Sequence, residues 1–167
     1  MRELRFLVDV TMERVPLANR WISERWQPAS VVPATVTDTA DDSPRHERVA
    51  SDGSSWVARG LPVTLHKTEA EGYFLNVTSA EPKLFVMWRR EEDGAEPPVR
   101  VVVVTASYNE AARSLDAGEQ VDAVPLPDGL AQWVRPYVAE HYKPEPRRKV
   151  RRNDPFADAP DQQRRRD

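Results

Sequence analysis

Apolar and polar residues alternate in the first strand-like segment of the chain. In residues 3–12, ELRFLVDVTM, the apolar residues Leu4, Phe6, Val8 and Val10 occupy every second position. A spacing of two places these side chains on one face of an extended segment. The sequence therefore predicts a half-buried strand here.

A second extended segment, WISERWQPASVV, follows a turn at VPLANR. Side chains alternate along a strand, so a single strand would put Trp21 and Trp26 on opposite faces. At least one of them would then be exposed, where Trp often anchors a partner. Arg20 and Arg25 adjoin them. The segment predicts a partner-binding patch of Arg20, Trp21, Arg25 and Trp26, with a bulge or break at Pro28.

The middle of the chain has the strongest strand pattern. The segments GLPVTLHKT, GYFLNVTS, KLFVMWRR and VRVVVVTAS contain alternating or continuous apolar residues, and short polar links separate them. Four successive strands with short links favour an antiparallel sheet, which could also close into a barrel. Residues 34–55 are polar and predict a mobile loop.

Two helices are predicted after these strands. In SYNEAARSLDAG, Ser107 and Glu110 have the spacing of a capping box, and Gly118 stands at the expected stop. The segment DGLAQWVRPYVAEHY has apolar residues at helical spacing, with Pro136 inside. The connector GEQVDAVPLP lies between them. The predicted fold class is α+β: a mainly antiparallel β-sheet with two C-terminal helices.

The C-terminal part of the chain differs in charge from the rest. Residues 143–167 hold nine Lys or Arg and five Asp or Glu, whereas the remainder holds 15 basic and 22 acidic residues. The tail is also rich in proline and contains one aromatic residue, Phe156. We predict a single domain over residues 1–142 and a disordered basic tail over 143–167.

Candidate chemistry is sparse. The chain has no cysteine, which excludes disulfides and thiol catalysis. No phosphate-binding glycine motif or nucleophile elbow is visible. His46, His66 and His141 lack metal-ligand spacing, so no metal site is predicted. Glu69 and Glu71 beside His66 form either an acid–base cluster or a charged hairpin end.

The sequence also suggests a compartment. The N-terminal MRELRFLVDV lacks the apolar run of a signal peptide. No stretch approaches the roughly 20 apolar residues that cross a bilayer. A chain without cysteine suits a reducing environment. We therefore expect a cytoplasmic protein that does not contact membranes.

Four segments together resemble a known family. They are MERVPLANRWISERWQPASVVP, LHKTEAEGYFLNVTSAEPKLFVMWR, SYNEAARSLDAGEQVDAVPLPDGLAQWV and VAEHYKPEPRRKVRRNDPF. In this order they resemble a bacterial domain family of unknown function, whose genes commonly lie beside those of molybdopterin-dependent formate dehydrogenases and their maturation factors. Some members carry a label for molybdopterin guanine dinucleotide biosynthesis. That label would imply a glycine-rich nucleotide loop, which this sequence lacks.

The resemblance, the lack of any catalytic constellation and the acidic body with its basic tail together lead us to expect a non-enzymatic accessory, maturation or companion protein, and no cofactor is predicted. Its expected partner is a formate dehydrogenase subunit or maturation factor. A basic arm would engage an acidic surface of that partner. The alternatives are a binding protein for the molybdopterin cofactor or another anionic small molecule, and nucleic-acid contact through the tail, which the acidic body disfavours. The basic residues of the predicted arm are Lys143, Arg147, Arg148, Lys149, Arg151 and Arg152.

Overall fold

The computed structural model of the protein describes residues 5–34 and 45–144. These residues form seven strands, three α-helices and a short 3-10 helix at Lys67–Glu69. In chain order the strands and helices are β1 (Arg5–Pro16), β2 (Glu24–Pro33), β3 (Arg45–Arg48), β4 (Ser55–Thr64), α1 (Ala70–Val77), β5 (Lys83–Arg90), β6 (Val99–Thr105), α2 (Tyr108–Asp116), β7 (Gln120–Pro125) and α3 (Asp128–His141).

The strands form two antiparallel sheets. The first has the order β2-β1-β4-β3, and the second has the order β6-β5-β7. The α+β class, the antiparallel pairing and the two C-terminal helices are confirmed. The sheets do not close into a barrel, the alternative that the sequence left open.

Both sheets contribute to one hydrophobic core. In β1 the buried residues Val8, Val10 and Met12 follow the predicted alternation. Leu84, Val86 and Trp88 do the same in β5, and β6 and α3 add further side chains. Burying one large apolar side chain contributes about 1.5–3 kcal/mol. This shared core therefore holds the two sheets together.

Polar contacts also connect the sheets. Asp122 of β7 accepts a hydrogen bond from Trp88 Nε1 at 2.7 Å and pairs with Arg25 of β2 at 3.0 Å. At another point, the backbone N–H of Val101 in β6 donates to His46 Nε2 of β3 at 3.3 Å. The Arg25–Asp122 pair and the Val101–His46 bond each join the first sheet to the second, and the Trp88–Asp122 bond, which lies within the second sheet, holds Asp122 in place.

One buried carboxylate supports a bend in β1. The register between β1 and β4 shifts between Val8 and Val10, where Asp9 is 5% exposed. Asp9 accepts hydrogen bonds from the N–H of Gly60 at 2.9 Å and from Arg59 Nη1 at 3.3 Å. Gly60 has a φ of 67°, a conformation that glycine adopts without strain. This polar interruption of the apolar pattern thus serves a β-bulge.

The segment GYFLNVTS, predicted to be a strand, belongs to helix α1. Tyr73 is fully buried, and its ring lies 6.1 Å from that of Tyr137 in α3. Asn76 is 3% exposed and bonds the backbone of Lys83 and Ala106. The strand prediction is wrong. In the helix Leu75 does not share a face with Tyr73, and it is 43% exposed instead of buried.

Three other boundaries differ from the sequence prediction. The second strand begins at Glu24 rather than Trp21, and the bulge predicted near Pro28 is confirmed by a register shift opposite Thr11 and Met12. The connector after α2 contains β7. Part of the predicted 34–55 loop forms β3, and residues 35–44 lie outside the described ranges.

The two predicted helices are confirmed. Ser107 caps α2 by accepting a hydrogen bond from the N–H of Glu110 at 3.1 Å. Gly118 follows that helix with a φ of 83°. Pro136 lies inside α3 as expected. Every helix in residues 5–34 and 45–144 is too short or too polar to cross a bilayer.

Candidate docking surface

The loop between β1 and β2, residues 17–23, has an ordered backbone. The N–H of Leu17 donates to the carbonyl oxygen of Ser23 at 3.0 Å, which closes the loop at its base. Within it, the N–H of Trp21 donates to Asn19 Oδ1 at 2.9 Å, the bond of an Asx turn. We call residues 17–23 the β1–β2 tip. Its turn fixes the backbone from which Trp21 projects.

The β1–β2 tip exposes an unusual amount of apolar surface. The side chain of Trp21 is 86% exposed, that of Ile22 is 55% exposed and that of Leu17 is 37% exposed. Single exposed apolar residues are common on proteins, but a clustered set marks an interaction site. Trp21 is the strongest anchor among them because tryptophan is enriched at interface hot spots.

Arginines surround the β1–β2 tip. Arg20 is exposed and makes no ion pair within the described part of the chain. Below it, Glu24 lies between two arginines: its carboxylate is 3.4 Å from Arg14 Nε and 3.5 Å from Arg90 Nη2. Arg14 and Arg90 are therefore engaged with Glu24, whereas Arg20 leaves a positive charge on the tip that suits an acidic group of a partner.

The structure separates the four residues of the predicted patch. Arg20 and Trp21 lie together on the tip, while Arg25 lies on β2 and pairs with Asp122. The side chain of Arg25 remains 57% exposed despite this pair. Trp26 is 4% exposed and packs in the hydrophobic core, so it is not available on the surface.

Sequence reasoning missed Leu17 and Ile22. Both flank Trp21 in LANRWIS, and both are exposed on the same loop. The available signal was three large apolar residues close to Pro16 and Asn19: Leu17 in the segment interpreted as a turn, and Trp21 and Ile22 at the start of the segment interpreted as a strand. Apolar residues in a turn cannot all reach the core, and this favours a surface role.

Of the predicted basic arm, Lys143 alone falls within the described residues, and it is exposed. The other predicted arm residues lie outside the described ranges; they are Arg147, Arg148, Lys149, Arg151 and Arg152.

The carboxylates near His66 form neither of the two arrangements considered from sequence, the acid–base cluster or the charged hairpin end, because this segment is a 3-10 helix followed by α1. Glu69 accepts a hydrogen bond from Ser107 Oγ at 2.6 Å and also pairs with Arg113 of α2. Ser107 is fully buried. His66 and Glu71 are both exposed. Glu69 therefore connects the start of α1 to the start of α2, and its contacts are those of a structural link.

Tyr73 has a strongly raised pKa. Its hydroxyl accepts a hydrogen bond from the N–H of His66 at 3.0 Å and donates to the carbonyl oxygen of Thr64 at 3.4 Å. Burial raises the pKa of Tyr73 to about 12. The phenol is therefore protonated at neutral pH, where it connects α1 to the end of β4.

No group of three His, Asp or Glu residues in the described ranges could hold a metal ion.

Comparison with known families identifies the chain. Residues 7–151 match the family described as "Protein of unknown function (DUF3305)". The chain belongs to this family. The DUF3305 match contains both sheets, the helices and the β1–β2 tip, and it reaches into the basic segment as far as Arg151. No curated protein and no solved structure matches the chain.

Proposed function

We propose that the protein is a non-enzymatic accessory protein that binds another protein through the β1–β2 tip. The observation that carries this proposal is Trp21, which is 86% exposed on a loop with a fixed turn. An ordered loop loses little conformational freedom on binding, so more of the contact energy appears as affinity.

The side chains of the tip indicate which properties the partner's surface would need. Trp21 and Ile22 require an apolar pocket, and Arg20 requires acidic groups at its rim. A Trp at the centre of an interface typically contributes 2 kcal/mol or more, measured as the cost of its truncation. The neighbouring arginines act chiefly on the association rate and on partner selection.

A molybdenum-dependent formate dehydrogenase subunit or one of its maturation factors is the proposed partner. Support comes from the four sequence segments whose order resembles a family encoded beside those genes. The basic arm supplies a second contact: Lys143 is exposed at the end of the described chain, and five further basic residues follow by Arg152. Two linked contacts would raise the overall affinity through avidity.

Trp21→Ala tests the tip directly. We expect a loss of affinity of about 30-fold, which corresponds to about 2 kcal/mol. The partner would be captured with the tagged protein from its own host and identified by mass spectrometry. Affinity of the purified pair would then be measured by calorimetry. Val49→Ala is the matched control, because Val49 is 59% exposed on the loop after β3, outside the tip. Equal affinities for the two variants would contradict the proposal.

Replacing the arm residues tests the second contact. Alanine at Arg147, Arg148, Lys149, Arg151 and Arg152 should weaken binding at about 0.1 M salt and flatten its salt dependence. Trp21→Ala should leave the salt dependence unchanged while lowering affinity. An arm variant with an unchanged salt slope would remove the arm from the interface and leave the tip as the proposed contact.

A further inference from the structure

A second apolar surface lies on the outer face of the three-stranded sheet β6-β5-β7, the face turned away from the hydrophobic core. Two adjoining cavities, of about 360 Å³ and about 140 Å³, share Phe85 of β5 and Tyr108 of α2 as lining residues. The larger extends to Leu75 of α1, and the smaller extends to Leu115 of α2 and Val121 of β7. We call this surface, lined by these five residues, the α1–α2 groove.

The strand register explains why the floor of the groove is apolar. Phe85 lies between the buried residues Leu84 and Val86, so it points away from the shared core. Its cross-strand partner in β7 is Ala123, another lining residue of the smaller cavity. The outer face of this sheet therefore carries apolar side chains that α2 covers incompletely.

The walls of the groove are also exposed and apolar. Tyr108 and Leu115 are each 55% exposed, and Leu75 is 43% exposed. Tyr108 packs edge-on against Phe85, with ring centroids 6.2 Å apart. Three large exposed side chains around one concavity match a docking site for another apolar group.

Acidic residues stand at the rim. Glu71 lies one helical turn before Leu75 on α1, and Asp116 follows Leu115 on α2. Neither makes an ion pair within the described residues. Glu81 and Lys83 both line the larger cavity, with their charged atoms 3.8 Å apart, so the three carboxylates face one lysine. The occupant that fits best is an apolar side chain close to basic ones.

The chain leaves the described domain on the α1 side of this groove. The ring of Tyr142 stacks on Phe74 of α1, with centroids 4.2 Å apart and an angle of 20° between the planes. Phe74 directly precedes the groove residue Leu75. The structure therefore anchors the start of the C-terminal segment on a helix that borders the groove.

We propose that the C-terminal segment around Phe156 occupies the α1–α2 groove of its own molecule. Phe156 is the one aromatic residue after Tyr142, and Arg151 and Arg152 precede it closely. The aromatic ring suits the apolar floor, and the arginines suit the acidic rim. An extended chain from Pro144 to Phe156 reaches up to about 40 Å, whereas α2, which borders the groove, is about 13 Å long.

Attachment to the same chain favours this contact. A short tether raises the local concentration of Phe156 to roughly the millimolar range, so a weak contact is sufficient for substantial occupancy. The groove is separate from the β1–β2 tip, but the two proposals share Arg151 and Arg152. Docking of Phe156 in the groove would therefore compete with the arm's contact with a partner.

Photo-crosslinking in the full chain tests the contact. With p-benzoylphenylalanine in place of Phe156, illumination at micromolar protein concentration should give a monomeric product, crosslinked to peptides that contain Leu75, Tyr108 or Leu115. The double variant Leu75→Gln/Leu115→Gln should lower the initial crosslinking rate about tenfold, because it removes two apolar contacts. Both positions are exposed, so the fold should tolerate glutamine. Val49→Gln, on the loop after β3, is the matched control and should leave the rate unchanged.

Three results would overturn the proposal. A dimeric product crosslinked at the groove would assign it to the tail of a second copy. Crosslinks distributed over the surface, with the same rate in the groove variant and in the control, would show no preferred site. Absence of any crosslink to the domain would show that the segment does not contact it.

Discussion

Gly72→Ala is expected to destabilise the protein by about 3 kcal/mol, although alanine is normally the better helix residue. In an open helix this change would add up to about 1 kcal/mol of stability. At Gly72, however, a Cβ atom would lie 2.1 Å from Ser107 Oγ and 3.2 Å from the backbone nitrogen of Asn109. Overpacking of this kind costs about 1–3 kcal/mol.

The neighbouring groups at Gly72 cannot move freely to make space. Ser107 is fully buried, and its hydroxyl caps α2 while also donating to Glu69 at 2.6 Å. A shift of the hydroxyl would weaken both hydrogen bonds. The close approach of α1 to the start of α2 therefore requires glycine at this position.

Urea unfolding of the natural protein and of the Gly72→Ala variant measures the change in the free energy of unfolding. Gly129→Ala is the matched control. Gly129 also lies in a helix, but a Cβ there would meet no atom within 4 Å. That variant should gain stability, by about 0.5 kcal/mol. The same substitution is thus expected to have opposite signs at the two sites. A stabilising Gly72→Ala would show that α1 and α2 are separated by more space than the structure indicates.

Asn76→Asp is the second change with a large expected effect, about 4 kcal/mol at neutral pH. The amide nitrogen of Asn76 donates to the carbonyl oxygens of Lys83 at 2.6 Å and of Ala106 at 2.9 Å. Its Oδ1 accepts from the N–H of Lys83 at 2.8 Å. A carboxylate would keep the last bond but would direct a negative oxygen at two carbonyls, in a site only 3% exposed.

The loss of stability in Asn76→Asp should depend on pH. Burial and the two carbonyl oxygens would raise the pKa of the introduced aspartate above about 3.9, its value in the unfolded chain. The folded state would then hold the proton to higher pH than the unfolded state. Stability relative to the natural protein should therefore fall as pH rises above about 4, and the deficit should be smallest below that value.

Thermal unfolding between pH 4 and pH 8 measures this trend. Asn109→Asp is the matched control, because Asn109 lies in the first turn of α2, where a negative charge is favourable. We expect that variant to match the natural protein within about 1 kcal/mol across the range. A pH-independent loss in Asn76→Asp would indicate that water, rather than the two carbonyls, faces the new carboxylate.

The sequence predicted correctly those strands and helices in which the local pattern of apolar residues, or a capping residue, matches the way the element packs in the fold. In β1 and β5, alternation matches the buried faces because one side of each strand meets the core. Ser107 identified the start of α2 because a cap is a local interaction. The class of the fold was therefore accessible from sequence.

Helix α1 was not predictable in the same way. Its segment fits two periods, since Tyr73, Leu75 and Val77 alternate while Ala70, Tyr73 and Val77 have helical spacing. The choice between them depends on distant partners: Asn76 bonds Ala106, and Tyr73 packs on Tyr137. Long-range contacts of this kind leave no local signature.

The candidate docking surface was partly predictable. The sequence identified Trp21 and Arg20, but it could not distinguish Trp21 from Trp26, because that distinction depends on where β2 begins. The strand starts at Glu24, which leaves Trp21 in the loop and directs Trp26 into the core. The α1–α2 groove had no sequence signal, since its walls come from separate elements.

The hydrogen bond that closes the β1–β2 tip makes this loop suitable for exchange by protein engineering. The N–H of Leu17 and the carbonyl oxygen of Ser23 hold the loop ends together, and strand pairing resumes at once with Pro16 opposite Glu24. The ends of the loop at residues 17–23 are therefore fixed by the two long strands and by this hydrogen bond, whatever the sequence of the residues between them. A loop of different sequence, engineered between the same two ends, would therefore present a different surface while the two sheets beneath stay unchanged.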